Sequence, residues 1–152
     1  MSIEPDDEYV IPFGKARVVK EANPVFVESG QSCAIITYGR GVYWSLEAEK
    51  HFEGQVEIID LRTLNPVDFD TINAVTKKHG KVIVVTEESI EASFSLGLAG
   101  RIQRDNFKYL DAPVQIVGSV DTPAIPLNSI LEAALLTNGL KVKDSIEFIL
   151  GY

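Results

Sequence analysis

The stretch Val56-Glu57-Ile58-Ile59-Asp60-Leu61-Arg62-Thr63-Leu64-Asn65-Pro66-Val67-Asp68 passes from a β-branched apolar run, through a polar turn, into a helix-opening pattern. Val56 to Asp60 reads as a strand with apolar residues on both faces, as expected where helices cover a sheet on each side. Asn65 is placed to cap the following helix and Pro66 to take its first position. Phe69, Ile72 and Val75 fall on one face of that helix, which should stop at Gly80. The unit is strand, turn, helix, and it recurs to either side. Ala16 to Lys20, Cys33 to Tyr38, Lys81 to Thr86 and Val114 to Val117 are the other strand candidates. Between and after them, Val42 to Phe52 and Ser93 to Lys108 read as helices, the latter with Phe94, Leu98 and Ile102 recurring every four residues. Leu127 to Leu136 reads as a further helix, and a last one is opened by the box-like cap Asp144-Ser145-Ile146-Glu147. Strands joined by crossover helices are right-handed and give a three-layer α/β/α domain.

A chain of 152 residues with 45% hydrophobic content has enough material for one buried core and too little for two. Residues 1–13 combine Glu4, Asp6, Asp7 and Glu8 with Pro5 and Pro12 and read as a linker, so the domain is expected over 14–152. Apolar runs such as Val82 to Val85 fall far short of the ~20 residues that span a bilayer, and no charged-then-apolar leader opens the chain. The single cysteine, Cys33, has no partner for a disulfide or a metal site and reads as a small buried hydrophobe in a reducing compartment, cytoplasmic in a bacterium. A net charge of -8 argues against nucleic acid and for a basic protein partner.

In an open parallel sheet, functional groups gather at the carboxyl ends of the strands. Those ends are Thr37 to Gly41, Asp60 to Thr63, Thr86 to Ser89 and Gly118 to Pro123. Gly39-Arg40-Gly41 before a helix suggests a phosphate cradle, but Trp44 stands where the third glycine of the dinucleotide pattern would be, leaving a tight turn as the plainer reading. Burial of Glu87 or Glu88 would raise a carboxyl pKa, as a general acid needs, although neighbours in a strand face opposite ways and cannot act as a pair. His51 and His79 read as surface or helix-end residues, and Ser32-Cys33 has no identifiable base. Of Tyr43 and Trp44, one must face away from the sheet. No catalytic, cofactor-binding or metal-ligating residue is assigned.

In order from about Ile11, the segments Ile11 to Ala16, Ala34 to Gly39, Val56 to Pro66, Val82 to Glu87, Ala99 to Ile102 and Leu110 to Val114 resemble the C-terminal domain shared by transketolase and the beta subunits of 2-oxoacid dehydrogenases. Asp60 to Pro66 is the most specific piece, and the Ile11 and Leu110 runs favour the pyruvate and branched-chain dehydrogenase beta subunits. The resemblance implies a five-stranded, mostly parallel sheet whose first strand is antiparallel. It implies a parent enzyme that uses thiamine diphosphate and magnesium, held by an alpha portion and an N-terminal beta portion, so that no catalytic residue is carried onto this chain. It also implies pairing with a second beta chain and docking of a lipoyl acyltransferase domain, with the carboxylate of Tyr152 as a candidate contact. Relatives place a histidine before the glutamate after the fourth strand and then a glycine-rich turn; here the stretch is Thr86-Glu87-Glu88-Ser89-Ile90-Glu91-Ala92-Ser93. A free-standing interaction module and an unrelated doubly wound nucleotide-binding domain are the competing readings, the latter weakened by the missing glycine fingerprint.

Overall fold

The computed structural model describes residues 8–152. Residues 1–7, with Glu4, Asp6 and Asp7 of the acidic linker reading, lie outside the described residues. In chain order the elements are β1 (Arg17–Lys20), α1 (Pro24–Glu28), β2 (Cys33–Thr37), α2 (Gly41–Glu49), β3 (Val56–Asp60), α3 (Phe69–His79), β4 (Val82–Ser89), α4 (Phe94–Asn106), β5 (Gln115–Ser119), α5 (Ser129–Leu135) and α6 (Gly139–Leu150). One sheet has the order β1-β3-β2-β4-β5. Only β1 is antiparallel to its neighbour, with Arg17 opposite Asp60, and the other pairs are parallel. The expected mixed sheet with an antiparallel first strand is the observed one.

Alternation along the strands sorts their side chains between two helical layers. Cys33, Ile35, Ile58, Ile83 and Val85 pack with Trp44 and Ala48 of α2 and Val142, Ile146 and Ile149 of α6. Their neighbours Ile36, Val82 and Val84 pack on the opposite face with Ile72 of α3 and Leu98 and Ile102 of α4. Trp44 is buried while Tyr43 stands exposed, which resolves the pair as the sequence required.

Three helix starts differ from expectation or were missed. α3 begins at Phe69, not Pro66, because Asp68 rather than Asn65 caps it, accepting from Thr71 N at 3.1 Å; Asn65-Pro66 is a cis peptide before the helix. Asp68 Oδ2 also accepts from Ala16 N at 3.0 Å, so one carboxylate ties the root of β1 to the start of α3. α6 opens at Gly139, capped by Asn138, and Asp144 lies inside it. The short α1, capped by Asn23, was missed altogether. Gly80 ends α3 as expected: its φ of 66° is left-handed, and a Cβ there would sit 2.2 Å from Asp111 Oδ2.

Candidate functional site

The chain leaves β2 for α2 on one face of the sheet and leaves β4 for α4 on the other. Since β2 and β4 are neighbours, their connections part in opposite directions and open a crevice at the carboxyl ends, the usual ligand position in such sheets. Tyr38, Gly39 and Arg40 from the end of β2 and Thr86, Glu87 and Glu88 from β4 line a hollow of ≈ 410 Å³, closed by Leu64, Phe94 and Ile125. Leu64 and Phe94 are shared with a second hollow of ≈ 540 Å³, walled by Pro66, Val67, Phe69, Leu98 and Arg101 between the β3–α3 turn and α4. Together they form one groove along the carboxyl edge.

Glu88 is the most committed polar group here. Its Oε1 accepts from Tyr38 Oη at 2.8 Å, from Ser95 N at 3.1 Å and from Ser95 Oγ at 3.2 Å. Partial burial pushes the Glu88 pKa up, but these donors outweigh it and the result is a lowered value, opposite to the raised one a general acid would need. Burial, opposed by the bond to Thr86 and helped by the bond to and charge of Glu88, raises the Tyr38 pKa to about 12. Across neutral pH Glu88 is therefore an anion and Tyr38 a neutral donor, and neither is poised to exchange a proton. Tyr38 also meets Phe94 edge-on, with ring centroids 5.7 Å apart. Glu87 is exposed, and its carbonyl accepts from Ser119 Oγ at 2.6 Å.

Gly39 and Gly41 make the tight turn. Gly39 has a φ of 57°, and a Cβ on Gly41 would lie 2.1 Å from Thr37 Oγ1, so the second glycine is a packing requirement of the turn itself. The Arg40 guanidinium stacks over Trp44 at 5.5 Å. The crevice therefore offers hydrogen bonds, apolar walls, the exposed Glu87 carboxylate and the Arg40 cation, with Arg101 farther along the groove. It does not fit a diphosphate–magnesium group: Glu88 Oε1 already accepts from Tyr38 and Ser95, the exposed Glu87 would repel the diphosphate, and among the described residues no three His, Cys, Asp or Glu side chains converge on a metal position.

A second polar cluster sits at the opposite, amino edge, and the sequence reading missed it. His79 is not a surface residue; it is buried at the end of α3, with Nδ1 2.7 Å from Ser32 Oγ and Nε2 3.4 Å from Glu57 Oε2. Lys78 also pairs with Glu57, and Lys81 Nζ donates to Gly30 O at 2.9 Å. Ser32 thus has a base after all. The order serine, histidine, carboxylate is that of a hydrolytic triad, yet Ser32 is 1% exposed, so no substrate reaches its Oγ. Burial, the largest influence, pushes the Glu57 pKa up, but hydrogen bonds and charges from His79 and Lys78 bring it down to about 2. The cluster is a buried ionic clasp between β3 and α3. His51, by contrast, is exposed after α2, and Cys33 is fully buried, its thiol pushed up to about 12 by that burial against the opposing charge of Lys81. Tyr152 is exposed, its ring edge-on to Phe148 at 5.5 Å.

Comparison with known proteins agrees with this architecture. The family model described as the C-terminal domain of transketolase matches residues 21–142. The beta subunit of the pyruvate dehydrogenase E1 component of Rhizobium meliloti is 32% identical over 94% of this chain and 30% of its own length. The beta subunit of 2-oxoisovalerate dehydrogenase of Bacillus subtilis is 34% identical over 93% of this chain and 42% of its own. The chain thus spans well under half the length of these relatives. Among solved structures, a split-gene transketolase described as an inactive beta4 tetramer superposes with a TM-score of 0.74 at 19% identity, over 96% of this chain and 45% of that one.

Proposed function

This chain belongs to the transketolase C-terminal domain family, and on that premise we propose that it is the C-terminal part of the beta portion of a thiamine-diphosphate-dependent 2-oxoacid dehydrogenase, of the pyruvate or branched-chain 2-oxoisovalerate type. The observation that carries this reading is the alignment of 93–94% of the chain with beta subunits of both dehydrogenases at 32–34% identity. In the reading, thiamine diphosphate and magnesium belong to an alpha portion and an N-terminal beta portion outside this chain, in keeping with a crevice that does not fit them. The domain's own work is assembly, in a reducing intracellular compartment. It pairs with a second beta chain, a role supported by the tetrameric description of the solved relative. It also docks a basic acyltransferase domain, supported by the net charge of -8, with the exposed Tyr152 as a candidate contact.

The test is reconstitution. Titration calorimetry of the chain alone with thiamine diphosphate and magnesium should register no binding, while addition of the alpha and N-terminal beta portions of a relative should produce decarboxylation of pyruvate or a branched-chain 2-oxoacid. A reconstituted complex inactive on every 2-oxoacid tried overturns the reading.

A further inference from the structure

A further hollow, of ≈ 310 Å³, lies between the start of α2 and the short helix α5, and the function proposed above makes no use of it. Arg40 and Trp44 stand on its α2 side, Glu132 and Leu136 on its α5 side, and Thr137 and Asn138 come from the link into α6. Two sets of bonds hold α5 in place beside this space. Lys141 Nζ donates to the carbonyls of Ala134 at 3.3 Å, Leu135 at 3.3 Å and Leu136 at 2.7 Å, and Val120 N donates to Leu135 O at 3.1 Å.

The polar groups around the hollow are not matched to one another. Among the described residues neither Arg40 nor Glu132 forms an ion pair, and the Arg40 guanidinium lies over the Trp44 ring instead. Thr137 is 2% exposed, and its hydroxyl has no hydrogen-bond partner. Unlike Ser32, Thr137 forms part of the wall of a hollow, so its missing partner can come from there. Asn138 commits its Oδ1 to the cap of α6, accepting from Lys141 N at 3.0 Å, which leaves its amide N–H groups as donors.

We infer that this hollow binds a free α-amino acid with an apolar side chain. Its carboxylate accepts from the Arg40 guanidinium, the Thr137 hydroxyl and the Asn138 amide, its ammonium donates to Glu132, and its side chain rests against Trp44 and Leu136. The inference goes beyond the proposed function and does not depend on it. Charge selects the ligand class. A guanidinium fork matches a carboxylate, but the unpaired Glu132 in the same hollow opposes a plain anion, as Arg40 opposes a plain cation. A zwitterion answers both charges, and a chain of net charge -8 does not repel it. Size agrees: ≈ 310 Å³ stands at the small end of the ~300–1,000 Å³ range of ligand sites and suits an amino acid better than a nucleotide.

Trp44 is the chain's single tryptophan, so its fluorescence reports on the hollow directly. The test titrates the full chain with leucine, with the 2-oxoacid of the same carbon skeleton, which lacks the ammonium, and with isoamylamine, which lacks the carboxylate. Fluorescence and titration calorimetry should both show saturable binding of leucine with a Kd below ~1 mM, and each analogue should bind at least ~10-fold more weakly. R40Q and E132Q, altered outside the core and checked for folding by circular dichroism, should each weaken leucine at least ~10-fold. E132Q should also bring leucine and the 2-oxoacid to within ~3-fold of each other, which a general loss of structure would not do. No saturable signal from leucine by either method up to ~50 mM overturns the inference. So does an analogue that binds wild type as tightly as leucine, or leucine binding unchanged in R40Q and E132Q.

Discussion

Replacing Glu57 by glutamine should cost stability in a way that depends on pH, and the size of the effect follows from the buried clasp. The Glu57 carboxylate is almost fully buried against His79 and Lys78, and its pKa stands at about 2 instead of the ordinary 4.5. A lowered folded-state pKa means that the unfolded chain takes up the proton first as pH falls. The stabilisation is then complete above about pH 5 and is lost progressively toward pH 2. At ~1.4 kcal/mol per pKa unit the full effect is about 3 kcal/mol at pH 7, falling to about 1 kcal/mol at pH 3. Glutamine keeps the volume and an acceptor for His79 but removes the charge, and Lys78 is exposed enough to regain water. Urea unfolding of wild type and E57Q at pH 7 and pH 3 should give a difference of about 3 kcal/mol that shrinks to about 1 kcal/mol. An equal difference at both pH values, or none at pH 7, refutes the reasoning.

Asp68→Ala removes both the cap of α3 and the acceptor for Ala16 N and should cost about 2 kcal/mol by urea unfolding, with Asp68→Asn recovering part of it. Gly41→Ala puts a methyl group against Thr37 Oγ1 and the Val85 carbonyl, where overpacking should cost about 1–3 kcal/mol and lower the melting temperature. Cys33, buried and with its thiol pKa near 12, should react with an aromatic disulfide reagent only as the chain unfolds, so the labelling rate at pH 8 should rise in urea in step with unfolding rather than with thiolate content.

What the sequence yielded and what it withheld divide along a physical line. Strand positions and the stripe of Phe94, Leu98 and Ile102 are local periodicities, and all appear in the fold. The start of α6 was also within reach: Val142, Ile146 and Ile149 repeat at helical spacing and begin before Asp144. Asn65 and Asp68 were equally able to cap α3. The contest was decided by Ala16, 52 positions away, whose N–H takes the second oxygen of Asp68. The clasp of Ser32, Glu57 and His79 was illegible for the same reason. It exists only once β2 and β3 pair with Cys33 opposite Val56 and α3 returns its last turn to the amino edge. The crevice was half visible, because rules of sheet topology named Tyr38, Arg40, Thr86 and Glu88, whereas Leu64 and Ile125 enter from loops with no periodic signal.

The two edges of the sheet thus carry opposite burdens. At the amino edge, Ser32, Glu57, His79 and Lys81 are withdrawn from solvent and joined to one another or to backbone, an arrangement costly to disturb and closed to any ligand. At the carboxyl edge two carboxylates line the hollow: Glu87 is exposed, while Glu88 holds Tyr38 and Ser95 through Oε1, and beside them Leu64, Phe94 and Ile125 supply apolar walls. Pairing the Glu88 carboxylate internally matters for what the edge can do. An unpaired anion there would have to keep its water, and desolvating it on contact would oppose any apolar partner by several kcal/mol. With Tyr38 and Ser95 supplying hydrogen bonds to Glu88 beforehand, its desolvation costs less than that of the exposed Glu87 beside it, and neither Glu88 nor Tyr38 is poised for proton transfer.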